Sequence, residues 1–112
     1  MGYRLVGRAS YRIDEILRES ARNWGIDGAD RYHRLILAAL TAIGECPTLV
    51  GSRAVPRVSA ARSDHLRLAR RLVERRYRVA EPRHLVIYRS APDGIVEILS
   101  LAHDRMMLAR AA

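Results

Sequence analysis

Apolar residues recur along this chain with two different periods. "YRLV" (3–6) alternates and predicts a short first strand. From residue 9 the spacing becomes helical. Ala9, Ile13, Ile16, Leu17, Ser20 and Trp24 fall on one face, while Arg12, Glu15, Arg18, Glu19 and Arg22 fall largely on the other. Glu15 and Glu19 precede Arg18 and Arg22 by three residues, a spacing that supports a solvated helix surface. "WGIDGAD" (24–30) reads as a linker, with Gly25 ending the first helix and Asp27 and Asp30 suited to the positive end of the next. The second helix carries a stripe of Ala29, Tyr32, Leu35/Ile36, Ala39/Leu40 and Ile43, and ends near Gly44 or Cys46, ahead of Pro47. So short a linker makes the two helices an antiparallel hairpin. Leu35 and Leu37 widen the apolar surface beyond one stripe, as extra core or as a surface for a partner.

Residues 47–63 show no steady period and read as a long loop. "HLRLAR" (65–70) alternates like a strand, and "RLVERRYR" suits strand or helical turn alike. "RHLVIYRS" (83–90), the turn "APDG" (91–94) and "IVEILSLAH" (95–103) form a β-hairpin, followed by helix formers in 104–111 behind Asp104 as N-cap. The order β-α-α-β-β-β with a short C-terminal helix makes one α+β domain over residues 1–112. Its antiparallel sheet has about four strands, with the helical hairpin on one face. In a two-residue register His84 lies opposite His103. With either a two- or a four-residue loop, His84, Val86 and Tyr88 share a face with Glu97, Leu99, Leu101 and His103, and Leu85, Ile87 and Arg89 share the other with Val96, Ile98, Ser100 and Ala102. Both faces are apolar, so the one away from the helices calls for a second cover.

Charge sharpens this picture. The net charge is +8, and all 20 basic residues are Arg. Guanidinium forks match carboxylates and phosphates, so the expected partner is acidic: nucleic acid or an acidic protein segment. Residues 61–78 hold seven Arg with Tyr77 among them, which suits a phosphate backbone, an acidic segment or plain solvation, without a base-reading signature. The lone Cys46 excludes an intrachain disulfide and a Cys-based zinc cluster, and its place at the helix end points to packing. No apolar run approaches a membrane span and no signal-peptide core opens the chain, so a cytoplasmic protein without membrane contacts is expected.

The strand that stops at His103-Asp104-Arg105 raises the question of chemistry. His84 and His103 lack a third ligand in any metal-binding spacing, so neither a metal nor another cofactor is expected. The same pair, near Arg83, Arg89 and Arg105, has the residue types for RNA cleavage: imidazoles to move protons and guanidiniums to neutralise a phosphorane. Against it stands the plainer reading, in which the histidines cap strand ends and bond to backbone. There is no GxSxG and no phosphate-binding glycine loop.

Five blocks in order carry a family resemblance: Ala9, Ile13 and Ile16; Trp24, Gly25, Ala29 and Tyr32; Ile43 and Pro47; "PRHLVIYR"; and "DGIVEILSLAHDRM". The chain resembles the RelE/ParE superfamily of bacterial type II toxins, in its ParE-like branch. It departs from that pattern at Arg12, Ala102 and Met107 and in a longer 65–82 segment. The resemblance implies a sheet-plus-helical-hairpin fold and a non-enzymatic growth-arrest toxin that inhibits DNA gyrase. It also implies a hetero-oligomer with a ParD-like antitoxin, whose acidic C-terminal segment would lie over Leu35, Leu37, Arg67, Arg70, Tyr88 and Arg89. The RelE-like alternative is a ribosome-dependent mRNA endoribonuclease, for which His103, Arg83, Arg89 and His84 would be the catalytic group. A plain nucleic-acid-binding module is the third reading.

Overall fold

The computed structural model describes residues 2–48, 51–56 and 58–106. Strands β1 (Tyr3–Leu5), β2 (Arg53–Ala54), β3 (Arg62–His65), β4 (His84–Ser90) and β5 (Val96–His103) form one sheet in the order β1-β5-β4-β3-β2. β1 runs parallel to β5, and the other pairings are antiparallel. The α+β class is as expected. The sheet has one strand more than the pattern suggests, because Arg53–Ala54 pairs with Arg62 and Ser63 inside the stretch read as a loop.

Between β1 and β2 the chain is helical from Ala9 to Glu45. Those 37 residues, if straight, would span about 55 Å. The longest dimension of the molecule is 39 Å. The chain turns back at Gly25, whose φ of 78° and ψ of 179° leave the helical region. A Cβ placed on Gly28 would lie 4.0 Å from the Ser20 carbonyl oxygen, an approach that a continuous helix forbids at this separation. The two arms, α1 (9–24) and α2 (26–45), are thus a hairpin, and the expected 24–30 linker shrinks to Gly25 because Asp27 and Asp30 already lie in α2. The turn is tight enough that a Cβ on Gly28 would overlap the Cβ of Trp24. Residues 22–27 are all exposed, so the tip runs past the surface that covers the rest of the stripe. Trp24, placed on the buried face by its spacing, is therefore 77% exposed.

Ile13 and Ile16 of α1 and Leu35, Ile36, Leu40 and Ile43 of α2 pack on Val86, Tyr88, Val96, Ile98 and Leu101 of the sheet. The β4–β5 register begins as expected, with His84 opposite His103. It then shifts. Ile87 faces Ser100 and the next residue, Tyr88, faces Ile98, leaving Leu99 as the extra residue of a β-bulge. Beyond the bulge the parity of β5 inverts, so Val96 and Ile98 join the helix-covered face that alternation assigned to Glu97 and Leu99. On the opposite face Leu85, Ile87 and Leu99 stay half-buried.

The expected strand 65–70 is a 3₁₀ segment, Leu66–Leu72, and the strand lies just before it. His65 Nδ1 accepts the Arg67 N–H at 3.1 Å and starts the turn. Leu66 and Ala69, three apart as on one side of a 3₁₀ turn, are buried while Leu68 is 36% exposed, so burial does not follow the period of two that a strand requires. A further turn at Arg75–Tyr77 is held by guanidiniums of Arg34 and Arg76 at 4.0 and 4.7 Å from the Tyr77 ring. Residues 104–106 are helical, and the rest of the expected tail helix lies outside the described residues. Its cap differs from expectation: the Arg105 N–H donates to His103 Nδ1 at 3.1 Å, and the Asp104 side chain turns elsewhere. Cys46 is exposed rather than packed.

Two consequences can be measured. Gly25 holds a backbone conformation that only glycine adopts readily, so Gly25→Ala lowers stability by about 1–3 kcal/mol, seen as a lower urea midpoint. Asp64 sits opposite Val86 on the helix-covered face, 3% exposed, and its Oδ1 has no hydrogen-bond partner among the described residues. Burial pushes its carboxyl above the usual range, so the ionised form costs stability once pH rises through the folded value. Asp64→Asn therefore raises the unfolding free energy at pH 7 by on the order of 1 kcal/mol, and the gain disappears as acid protonates the native carboxyl.

Candidate functional site

The first residue of β4 and the last of β5 are both histidines, and the antiparallel ladder sets them side by side. Their rings meet edge to face, 5.3 Å between centroids. Tyr32, on the core stripe of α2, reaches the same place. Its oxygen accepts the Arg83 backbone N–H at 3.1 Å and lies 2.6 Å from His84 Nδ1. The hydroxyl proton needs an acceptor, and Nδ1 is the one in reach, so Tyr32 donates to His84 and the His84 ring proton resides on Nε2. Burial, helped by the neighbouring His103 and Arg12, lowers the His84 pKa to about 4. Burial raises the Tyr32 pKa to about 12. Both groups are neutral across the physiological range.

Asp104, just past β5, organises the other side of the junction. Its N–H donates to the Arg83 carbonyl at 2.8 Å. Its Oδ2 lies 3.3 Å from His65 Nε2 and 3.6 Å from Arg83 Nε. Because His65 Nδ1 accepts from Arg67, Nε2 is the protonated nitrogen and donates to the carboxylate. Burial lowers the His65 pKa against the opposing pull of Asp104, so this contact is a hydrogen bond of a neutral imidazole at pH 7. Burial works against ionised Asp104, yet the His65 hydrogen bond and the nearby Arg83 hold its carboxyl below the usual range. Asp104 Oδ1 is buried without a donor among the described residues: His103 Nδ1, 3.3 Å away, is occupied as an acceptor by Arg105.

Tyr32, Arg83, His84 and His103, but not His65 or Asp104, form one wall of a cleft of about 710 Å³. The other walls are the hairpin tip, with Trp24 and Arg31, and residues 78–81. The latter segment is fixed by Arg78, which donates to the Val73 and Arg71 carbonyls at 3.0 and 3.3 Å. Three guanidiniums (Arg31, Arg78, Arg83) and three carboxylates (Glu19, Asp27, Glu81) line the cleft, so its formal charge balances.

The structure thus gathers His84, His103 and Arg83 from the four residues with cleavage chemistry. It does not gather Arg89, which lies five residues along β4, about 17 Å away, and pairs with Glu97 at 3.0 Å. Of the expected antitoxin surface, Leu37, Arg67, Arg70 and Arg89 are exposed, whereas Leu35 and Tyr88 are 1% and 0% exposed and present nothing to a partner. Leu35 belongs to the α2 stripe, and the Tyr88 hydroxyl is spent on the Pro47 carbonyl at 2.6 Å. Neither spacing nor motif marks Tyr32, His65 or the side chain of Asp104 as part of a site. A tyrosine on a core stripe must hydrogen-bond through its hydroxyl, and that was the available signal for Tyr32. Nothing local marks the contact of His65 with Asp104, 39 residues on. Among the described residues no group of three or more His, Cys, Asp or Glu side chains is arranged to hold a metal ion. No family model matches the chain, and no curated protein matches it.

The neutral His84 leaves a mark on acid stability. An unfolded chain takes up the imidazole proton near pH 6.5, whereas the folded chain resists to about 4. Stability therefore falls as pH drops through this window, with His84 adding a slope of up to about 1.4 kcal/mol per pH unit. His84→Gln flattens that slope in urea titrations between pH 7 and pH 4, while the wild type keeps it.

Proposed function

We propose that this chain is the toxin of a type II toxin-antitoxin pair, ParE-like in its action: it inhibits DNA gyrase in the cytoplasm without catalysing a reaction, and a ParD-like antitoxin neutralises it. The fold supports this reading, since the resemblance implies a helical hairpin on a mostly antiparallel sheet and the chain has that architecture. The resembling blocks also fall at its junctions. Trp24-Gly25 makes the helix reversal, Pro82-Arg83-His84 opens β4, and His103-Asp104-Arg105-Met106 closes β5.

The observation that favours the non-enzymatic branch is the state of the two imidazoles. Both Nδ1 atoms accept hydrogen bonds from within the fold, so both rings carry their proton on Nε2 and neither offers a free base to the cleft. Arg89 is engaged elsewhere. The ribonuclease reading retains one argument, the convergence of His84, His103 and Arg83 on one cleft. For the antitoxin, the exposed Leu37, Leu68 and Leu72 with the neighbouring Arg67, Arg70 and Arg71 offer apolar and cationic surface to an amphipathic acidic segment.

Induced expression separates the readings. Gyrase-linked strand breaks with intact mRNA are expected, and co-expression of the adjacent reading frame should restore growth and yield a co-purifying complex. Codon-biased mRNA cuts that vanish in His103→Ala would establish the ribonuclease instead. Harmless expression with salt-dependent nucleic-acid binding would leave only a binding module.

A further inference from the structure

The cleft beneath the hairpin tip carries donors that no contact among the described residues uses. We propose that it binds a nucleoside monophosphate, with the phosphate on His84, His103 and Arg83 and the base against Trp24.

The donor set comes first. His84 Nδ1 is taken by Tyr32 and His103 Nδ1 by Arg105, so each ring keeps one N–H, on Nε2, with no acceptor among the described residues. The two rings are cross-strand neighbours and both line the cleft. Beside them Arg83 is half exposed. Its Nε lies 3.6 Å from Asp104 Oδ2, and its terminal N–H groups make no hydrogen bond among the described residues. Two imidazole donors and a guanidinium, with no free acceptor among them, suit a multiply accepting oxyanion and not a cation.

Size and charge then narrow the class. About 710 Å³ falls in the range of small-ligand pockets. The balanced lining is unlike a polynucleotide groove, because a strand threading it would run past Glu19, Asp27 and Glu81. A single terminal phosphate can reach the donors while amino and hydroxyl groups of the nucleoside meet those carboxylates. Trp24, 77% exposed on the wall, offers a ring face to a heteroaromatic base.

The test uses the full chain with its histidines 15N-labelled and its single tryptophan as a fluorophore. It is titrated with AMP, with inorganic phosphate and with a short single-stranded oligoribonucleotide lacking a terminal phosphate. AMP should shift the Nε2 signals of His84 and His103 and quench Trp24, saturating below about 1 mM. Phosphate should move the same imidazoles more weakly without quenching. Arg83→Met should weaken both ligands, and Trp24→Ala, at an exposed position, should weaken AMP about tenfold while leaving phosphate unchanged. Absence of imidazole shifts with AMP, tighter binding of the oligoribonucleotide at the same imidazoles, or unchanged AMP affinity in both variants would each overturn the proposal. None of these readouts depends on gyrase or on growth arrest, so the toxin reading stands or falls separately.

Discussion

The hydroxyl of Tyr32 is the contact on which the junction between α2, β4 and β5 depends. It takes a hydrogen bond from the backbone at the start of β4 and gives one to the first imidazole of that strand. A buried hydroxyl left unsatisfied is costly, so this bond sets how α2 sits on the sheet as well as which nitrogen of His84 carries the proton. The neighbouring junction follows the same logic. The Asp104 N–H closes on the Arg83 carbonyl, its carboxylate receives His65, and His103 caps the segment that begins there. Four elements far apart in sequence are tied together at one end of two strands.

The β-bulge at Leu99 makes that end compatible with the core. Without it, a strand that pairs His103 with His84 would turn Val96 and Ile98 away from the helices. With the extra residue, the first half of β5 contributes Val96 and Ile98 to the core while the second half contributes Leu101 and delivers His103 opposite His84. The bulge thus separates two demands on one strand: apolar packing near the turn and side-by-side imidazoles at the far end.

The arginine-only cation set is partly consumed inside the fold. Arg4 and Arg89 converge on Glu97, with Arg4 also on Asp93, and Arg34 binds Asp30 while lying over Tyr77. Arg62 and Arg78 satisfy the chain's own carbonyls. The guanidiniums on the 3₁₀ segment and its flank, at Arg67, Arg70, Arg71 and Arg75, are exposed and make no ion pair among the described residues. A planar fork serves backbone carbonyls, carboxylates and aromatic faces equally well, so a count of arginines overstates the surface free for binding.

The sequence by itself determined the α+β class, the helical hairpin and the turn at residues 91–94. Each rests on a local rule of period or turn chemistry that acts within a few residues. Tertiary structure decided the rest. Alternation over 65–70 suggested a strand, but packing of Leu66 and Ala69 against the helices imposed a 3₁₀ turn. A stripe that included Trp24 stopped short because the hairpin outruns the sheet. Tyr32, His65 and Asp104 became a site only when residues as far as 52 positions apart met. Whether a tyrosine is core or hydrogen-bond donor, and whether a histidine is base or donor, depends on what stands opposite it, which pattern along the chain does not encode.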